Sequence, residues 1–383
     1  MLDVVIVGGG FSGTIAAIVL ARAGYQIGLV DRHAVYPADF RAEHLDEVQT
    51  DALRRLQLLD DIVAGVPCIK HVAFARRGRL DGIWPAINYG MRYDAMVNAA
   101  RTLVPPSVEI LVGRVADLEA GPVYQRVMLA DGRILTGRLL VVATGLGYAL
   151  CGKLGITRRV LHERHSLTFG FDLEPQAGGR FSFPFLVYQG ERFSERIDYL
   201  AAFPLGASTR ANLFTYRDHR DPWTQALQRE PAKALSEAMP GLAKVLGPFH
   251  VSGPVQPRAM DLYSAEGFRR AGVVLIGDAF QTACPAAGQG IIRALTDVER
   301  LCRVHVPHWL TTPGMAAEKI NAFYDDPLKQ ACDTQAMHTA HYRRALTTET
   351  SLGWGLHRRR LQVQGLVRGL AQRVPIWLQG EPA

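Results

Sequence analysis

Cysteine is scarce and scattered: Cys68, Cys151, Cys284, Cys302 and Cys332 form no CxxC pair. An odd, widely spaced set excludes a disulfide framework and a cysteine-based zinc site, and points to reduced thiols in a cytoplasmic setting. No apolar run approaches the roughly 20 residues a bilayer span requires. No basic stretch with a cleavage site precedes the first apolar run, so no signal peptide is expected. Acidic residues are the minority charge, 36 Asp and Glu against 43 Lys and Arg, for a formal net charge of +7. That excess favours anionic ligands or an acidic surface. The basic residues are dispersed and no nucleic-acid motif accompanies them, so nucleic acid is not an expected partner.

What is present begins at once. Val4–Val7 is a β-branched run short enough for a buried parallel strand, and it ends in Gly8, Gly9, Gly10, Phe11, Ser12 and Gly13. Gly8, Gly10 and Gly13 carry GxGxxG spacing between a strand and a helix start. Gly8 serves the tight turn, Gly10 lets backbone approach a pyrophosphate, and Gly13 lets the helix close on the strand. The helix N-terminus offers free N–H groups to that phosphate. A second apolar run, Ile27–Val30, ends in Asp31, where a carboxylate accepts hydrogen bonds from a ribose; Arg32 follows.

At 383 residues and 48% apolar composition, one large α/β body with a second, smaller region is expected. Thr14–Ala23 reads as the first helix, stopped by Gly24. After Pro37, the spacing of Leu45, Val48, Leu53, Leu56 and Leu59 predicts a helix or a bent pair of helices, and Arg41 stands just before it. Residues 69–81 read as a hairpin, 92–103 as a helix, and 115–135 as a meander with an Asp131-Gly132 turn. Between Ser166 and Tyr216 apolar and polar residues alternate and Phe and Tyr are abundant. Those are strands of a half-exposed antiparallel sheet, one face of which suits a flat apolar ligand.

A second anchor runs from Gly272 to Leu301. Val273–Ile276 reads as a buried strand, Gly277 and Asp278 follow at its carboxyl end, and Pro285, Gly288, Gln289, Gly290 and Ile291 lead into a helix. An acid at a parallel strand end faces the crevice where an extended ligand lies. Two separated helix mouths suit a long ligand better than a mononucleotide.

These motifs resemble the single-component, class A FAD-dependent monooxygenases of the para-hydroxybenzoate hydroxylase type, over residues 2 to about 305. The resemblance implies an α/β fold with a Rossmann-like FAD-binding domain of the glutathione-reductase type, an antiparallel-sheet substrate domain and a helical C-terminus. It places FAD on Gly8–Gly13, with Asp31 on the adenosine ribose, Arg41 near the phosphates or ribityl chain, and Asp278 on the ribityl hydroxyls. Arg92 is set beside the flavin, Val115 beside adenine, Pro285 near the reactive face, and the Gly288–Ile291 N–H groups on the N1 and C2-carbonyl edge. The implied boundaries are 1–70, 93–165 and 255–305 for FAD, 71–92 and 166–254 for substrate, and 306–383 for the C-terminal helices.

The activity so implied is hydroxylation of an aromatic, quinol-like or heteroaromatic molecule by O2 through a C4a-hydroperoxyflavin. An oxidase, dehydrogenase or reductase on the same fold, or a flavoprotein acting on a protein partner, are the alternatives. Two departures stand out. The usual Ala-Ala-His after Gly-Asp is Ala279, Phe280 and Gln281. The middle Asp-Gly motif is replaced around Leu146 and Gly147, with Leu150 and Lys153 where its serine and arginine belong, which sets a separate flavin reductase or a substrate-borne hydride beside NAD(P)H as electron donor. The Trp-x-Trp-x-Ile-Pro motif of flavin-dependent halogenases is absent. His162, His165, Tyr188 and Tyr199 are the candidate acids or bases. Val363, Leu366, Val367, Leu370 and Val374 make an apolar stripe in a segment made basic by Arg358, Arg359, Arg360, Arg368 and Arg373. It suits an anionic membrane, the body of the protein or a second subunit.

Overall fold

The computed structural model describes residues 1–371. The chain divides into two compact units. One comprises Met1–Pro67, Tyr89–His165 and Met260–Ala340; the other comprises Cys68–Asn88, Ser166–Ala259 and the described residues from His341 to Ala371. Among the described residues no helix is long and apolar enough to cross a membrane.

The first unit is built on a mixed sheet. Glu109–Val112, Ile27–Asp31, Leu2–Val7, Ile134–Val142 and Val273–Leu275 run parallel, in that order. Val115–Ala120 and Gln125–Leu129 form an antiparallel meander on the first half of Ile134–Val142, along the same edge that Val273–Leu275 pairs with further on. Val4–Val7, Ile27, Val30, Leu139–Val142 and Val273–Leu275 are all buried, as continuous apolar strands of a parallel sheet must be. The Phe11–Arg22 helix is buried from Phe11 through Leu20 apart from Ser12, so it is apolar almost all round. In register, Val7 pairs with Val142 and Val142 with Leu275. The two glycine anchors therefore leave the sheet at the same level, from the carboxyl ends of strands separated by one neighbour.

The segment after Arg41 differs from its expectation. Ala42–Leu45 is a strand paired with residues 89–92, and helices follow at Glu47–Arg55 and Leu59–Ile62. Asp46 accepts from the Gln49 N–H while the Gln49 side chain returns to the Asp46 N–H, a capping box that starts the helix at Glu47. That phase leaves Val48 exposed while Leu45, Leu53, Leu56 and Leu59 are buried.

The second unit has its own core. Ser208–Thr215 pairs antiparallel with Ile197–Leu205 and with the Leu167–Leu173 stretch; Leu186–Gln189 continues the sheet and pairs parallel with Cys68–Arg76. Alternate residues Phe169, Phe171, Leu200, Ala202, Ala211 and Leu213 share one face with Leu227, Leu235, Met239 and Leu242. The last four lie on or beside the short helices Pro222–Arg229, Pro231–Ala238 and Leu242–Leu246. The helix Leu352–Ala371 carries exposed Leu352, Leu356 and Val363. The side chains of Leu366, Val367, Arg368, Leu370, Arg373 and Val374 lie outside the described residues.

Candidate functional site

The opening glycine turn has the mechanics its spacing requires. Gly8 sits at φ +109°, and a β-carbon there would lie 2.4 Å from the Ala143 carbonyl oxygen; one on Gly13 would lie 1.9 Å from the Gly8 oxygen. Only glycine admits that closeness. A β-carbon on Gly10 would meet nothing within 4 Å, so the front of the turn is open. The helix behind it begins at Phe11, is half-buried at Ser12, and has neither a side-chain cap nor an acid in its first turn. Its first N–H groups are left for a ligand.

Asp31 ends the second strand. Its carboxylate accepts from the Gly9 N–H at 2.7 Å and the His33 N–H at 2.8 Å; Arg32 is exposed beside it. The sequence reading missed Arg101, in the last turn of the Tyr93–Thr102 helix. Its Nε and Nη2 both donate to the Gly9 carbonyl at 2.9 and 2.5 Å, Nη1 donates to the His33 and Ala34 carbonyls, and Asp31 stands 3.3 Å away. One guanidinium thus fixes the glycine turn and the acid together. Nothing in spacing announces an arginine so far along the chain from its partners.

Arg41 donates to Asp39 through Nε and Nη2 at 2.9 and 2.6 Å and to the Tyr36 hydroxyl at 3.2 Å, and lies 3.8 Å over the Tyr93 ring. Burial disfavours its charge, but the Asp39 carboxylate outweighs that and holds its pKa above the ordinary value. Arg92 precedes the same helix and donates to Asp94 and to the Asp39 carbonyl. Arg41 and Arg92 thus converge on Asp39. Val115 is half-buried on the meander's outer strand, opposite Leu129.

The second anchor meets the first. Gly277 is at φ +60°, and a β-carbon on it would stand 2.6 Å from the Ser12 Oγ. Asp278 lies in the following turn, Gly277–Ala279, whose backbone is held by the Asp297 carboxylate on the Gly277 N–H at 2.8 Å and by the Tyr263 hydroxyl on the Asp278 carbonyl at 2.8 Å. Pro285–Ala287 forms a single turn, and Gly288 at φ +66° opens it. Gln49 donates to the Gly288 carbonyl at 3.2 Å. Gln289 precedes the Gly290–Arg300 helix with no side-chain cap, and no acid stands in its first turn. A β-carbon on Gly288 or Gly290 would meet nothing within 4 Å; Ile291 behind them is buried.

Around the altered middle motif, Arg158 is clasped between the Tyr148 and Tyr263 rings at 4.2 and 3.9 Å and donates to the Leu146 carbonyl at 2.7 Å. Cation–π contact of this kind holds a guanidinium without an acid. Lys153 is turned outward to Asp117 at 3.4 Å. Burial pushes the Cys151 thiol up to about 11, which keeps it protonated and unreactive at neutral pH.

The candidate acids and bases are dispersed. His162 bonds the Glu163 carbonyl and meets His165 edge-on at 5.1 Å, and His165 is fully buried. Tyr188, in the second unit, is fully buried; it donates to Glu191 at 2.6 Å and accepts from the Gly78 N–H at 2.9 Å. Tyr199 packs on Phe214 at 4.7 Å with Arg343 lying 4.7 Å from its ring. They fall into two sets, His162 with His165 in the first unit and Tyr188 with Tyr199 on neighbouring strands of the second.

The two anchors do come together, and as a pair they fit a dinucleotide. Two uncapped helix mouths, glycines with open space before them, and an acid at each strand end are what an extended phosphate-bearing ligand needs. Among the described residues no cluster of His, Cys, Asp or Glu could hold a metal ion.

Comparison with known proteins agrees. The family described as FAD binding domain matches residues 1–108. Among solved structures, p-nitrophenol 4-monooxygenase PnpA from Pseudomonas putida DLL-E4 superposes with a TM-score of 0.76 at 18% identity, over 96% of this chain and 94% of that one. The flavin-dependent brominase Bmp2 gives 0.70 at 17%, over 96% and 93%. Aklavinone-11 hydroxylase, solved with FAD and aklavinone, gives 0.69 at 19%, over 91% and 69%. At such identities the likeness is one of fold.

Proposed function

We propose that this chain, an FAD-binding protein with the fold of the class A flavoprotein monooxygenases, hydroxylates an aromatic or heteroaromatic small molecule with O2. The observation that carries the reading is the meeting of Gly8–Gly13 with Gly277–Asp278 at the carboxyl end of one parallel sheet. That arrangement grips a molecule with a pyrophosphate at one end and a second polar chain at the other. Bound FAD supplies the redox chemistry and the reaction with oxygen.

The chain's own residues supply binding and electrostatics. Gly8–Gly13 and the first N–H groups of the Phe11–Arg22 helix hold the pyrophosphate, and Asp31, fixed by Arg101, faces the adenosine ribose. Asp278 takes the ribityl hydroxyls. The uncapped N–H groups at Gly288–Ile291 would offer partial positive charge to the flavin ring. In the second unit, the sheet face opposite the packed core carries Phe74 against Trp84, Phe203 against Phe185, and Tyr199 against Phe214. The aromatic content of that face supports an aromatic substrate. The outward turn of Lys153 supports delivery of electrons by a separate flavin reductase over direct use of NAD(P)H.

The test is to reduce the FAD-loaded protein chemically without air and then mix it with 18O2 and a panel of phenols, quinols and N-heteroaromatics. One 18O atom in an organic product supports the reading. Hydrogen peroxide as the sole oxygen product with every substrate overturns it in favour of an oxidase.

One face of the C-terminal helix carries exposed Leu352, Leu356 and Val363 alongside exposed Arg359 and Arg360. Apolar residues flanked by arginine support contact with an anionic lipid surface, from which an apolar substrate is drawn. Cosedimentation with phosphatidylserine vesicles, lost in Leu352→Ser/Leu356→Ser, is the expected result.

A further inference from the structure

The turn that carries Asp278 is closed into a ring of buried charges. Starting at its first residue, the Gly277 N–H donates to Asp297 Oδ2 at 2.8 Å, and Asp297 Oδ1 accepts from Lys329 Nζ at 2.7 Å. Lys329 Nζ also donates to Asp333 Oδ2 at 2.9 Å, and Asp333 Oδ1 accepts from Arg293 Nε at 2.9 Å. Arg293 Nη1 then donates to the Gln281 carbonyl at 2.6 Å, and the Gln281 N–H returns to the Gly277 carbonyl at 3.2 Å. The Gln281 side chain adds a bond to the Asp333 carbonyl at 3.3 Å. The circuit begins and ends on the backbone of one five-residue turn.

The side chains of Arg293, Lys329 and Asp297 are at most 1% exposed and that of Asp333 15%. Two cations and two carboxylates balance, so no net charge is buried. Burying them is nonetheless costly, and apolar side chains of similar volume fill such a space at least as stably. Ionic groups retained there do something packing cannot: they deliver directed hydrogen bonds to two backbone groups at the turn's ends. Phe280 and Gln281, which stand where the resemblance expects Ala and His after Gly-Asp-Ala, belong to this device. Lys329 Nζ lies 4.1 Å over the Phe280 ring, and Gln281 supplies both the carbonyl Arg293 grips and the side chain that reaches Asp333.

We propose that Asp297, Lys329, Asp333 and Arg293 are positioning residues for the FAD site, holding Gly277 and Asp278 in the geometry that receives the cofactor's ribityl side. The inference rests on the FAD reading and deepens it: two of the four residues, Lys329 and Asp333, stand on the Pro327–Thr348 helix, outside the glycine motifs. A directed hydrogen-bond shell around a ligand-holding group governs affinity more than global stability.

The experiment measures FAD dissociation constants of the full-length apoprotein by fluorescence quenching, with thermal midpoints of apoprotein and holoprotein in parallel. Variants are Lys329→Met, which opens the ring at its centre, Asp333→Asn, which removes the charge and one of the two acceptor oxygens that serve Arg293 and Lys329 while leaving the Lys329–Asp297 pair, and Lys329→Arg, which restores a charged donor. Expected is a weakening of FAD binding by roughly tenfold or more in the first two, as for removal of groups that orient a ligand's direct contacts. Lys329→Arg should recover most of it. A merely structural network would lower both midpoints equally and leave the dissociation constant alone. If Lys329→Met does not fold, Asp333→Asn decides. Unchanged affinity in the folded variants overturns this inference alone, whereas a wild-type protein that takes up no FAD overturns the underlying reading with it.

Discussion

Ser12 and Gly277 are close neighbours, although one belongs to the first helix and the other follows the Val273–Leu275 strand: a β-carbon on Gly277 would stand 2.6 Å from the Ser12 Oγ. Gly277 is also at φ +60°, where an L side chain costs about 1–2 kcal/mol. Gly277→Ala therefore adds strain and pushes the two anchors apart. The expected outcome is protein that purifies with little flavin, read from the ratio of visible to ultraviolet absorbance. Ser12→Ala/Gly277→Ala removes the collision but not the strain, so it should regain part of the flavin.

Arg101 is the other fastening of the site, and its fork is the point. Two of its nitrogens meet one carbonyl, Gly9, while a third reaches His33 and Ala34. Arg101→Ala should weaken FAD binding by about tenfold, equivalent to about 1.4 kcal/mol. Arg101→Lys should restore little of it, because a single ammonium cannot reproduce a planar fork. Titration of apoprotein with FAD checks both.

Asp326 gives the first unit a defined acid sensitivity. Burial works to raise its pKa, but hydrogen bonds from Arg300 and His305 and from the Lys329 N–H outweigh that and hold the carboxyl down at about 2. Because the folded value is depressed, its stabilising contribution is fully present above its unfolded value and is lost as pH falls from about 4 toward 2. Asp326→Asn should therefore lower the thermal midpoint relative to wild type near pH 5. The gap should close as the pH is taken down through that window.

Asp198 and Arg343 form the corresponding fixture in the second unit. Arg343 donates in parallel to both carboxylate oxygens at 2.7 and 2.8 Å, and the Tyr216 hydroxyl adds a bond at 3.2 Å. Burial raises the Asp198 pKa despite the cation beside it. Arg343→Met strands that carboxylate, at a cost of about 3 kcal/mol, while Asp198→Leu/Arg343→Met leaves no unpaired charge. The double variant should unfold later on heating than the single one.

The glycine anchors were legible because each is a local pattern: a strand, a glycine turn and a helix mouth lie within a dozen residues, and backbone sterics leave few alternatives. Asp31 and Asp278 followed from their places at strand ends. What could not be read were partners joined only by folding. Arg101 is just another helix arginine until the turn at Gly9 is seen beneath it, and Lys329 is just another lysine until Asp297 and Asp333 surround it. Val48 shows the converse: its spacing fitted the apolar stripe, but the capping box at Asp46 set the helix phase and left it in solvent. Aromatic alternation between Ser166 and Tyr216 marked the strands Leu186–Gln189, Ile197–Leu205 and Ser208–Thr215, but Phe181 and Phe183 lie in none. Ala201 and Phe203 are as buried as Leu200 and Ala202, so the sheet is not half-exposed there. Nor could alternation show that Tyr199 is covered by Arg343.

Tyr188 separates a chemical role from an architectural one. Its hydroxyl lies within a closed set of bonds, donating to Glu191 and accepting from the Gly78 N–H, while the same Glu191 oxygen receives the Gly241 N–H. Gly78 and Gly241 approach so closely that a β-carbon on Gly241 would lie 2.3 Å from the Gly78 nitrogen. Burial first, and the Glu191 hydrogen bond second, push the phenol's pKa well above its ordinary value, so it holds its proton throughout the working pH range. A general base would need to release it. Tyr188→Phe removes one acceptor from the Gly78 N–H and one donor from Glu191, which costs about 1–3 kcal/mol of stability. The expected result is a lower thermal midpoint with an unchanged pH profile of substrate-dependent oxygen consumption. A shifted acidic or basic limb in that profile would instead place Tyr188 among the reacting groups.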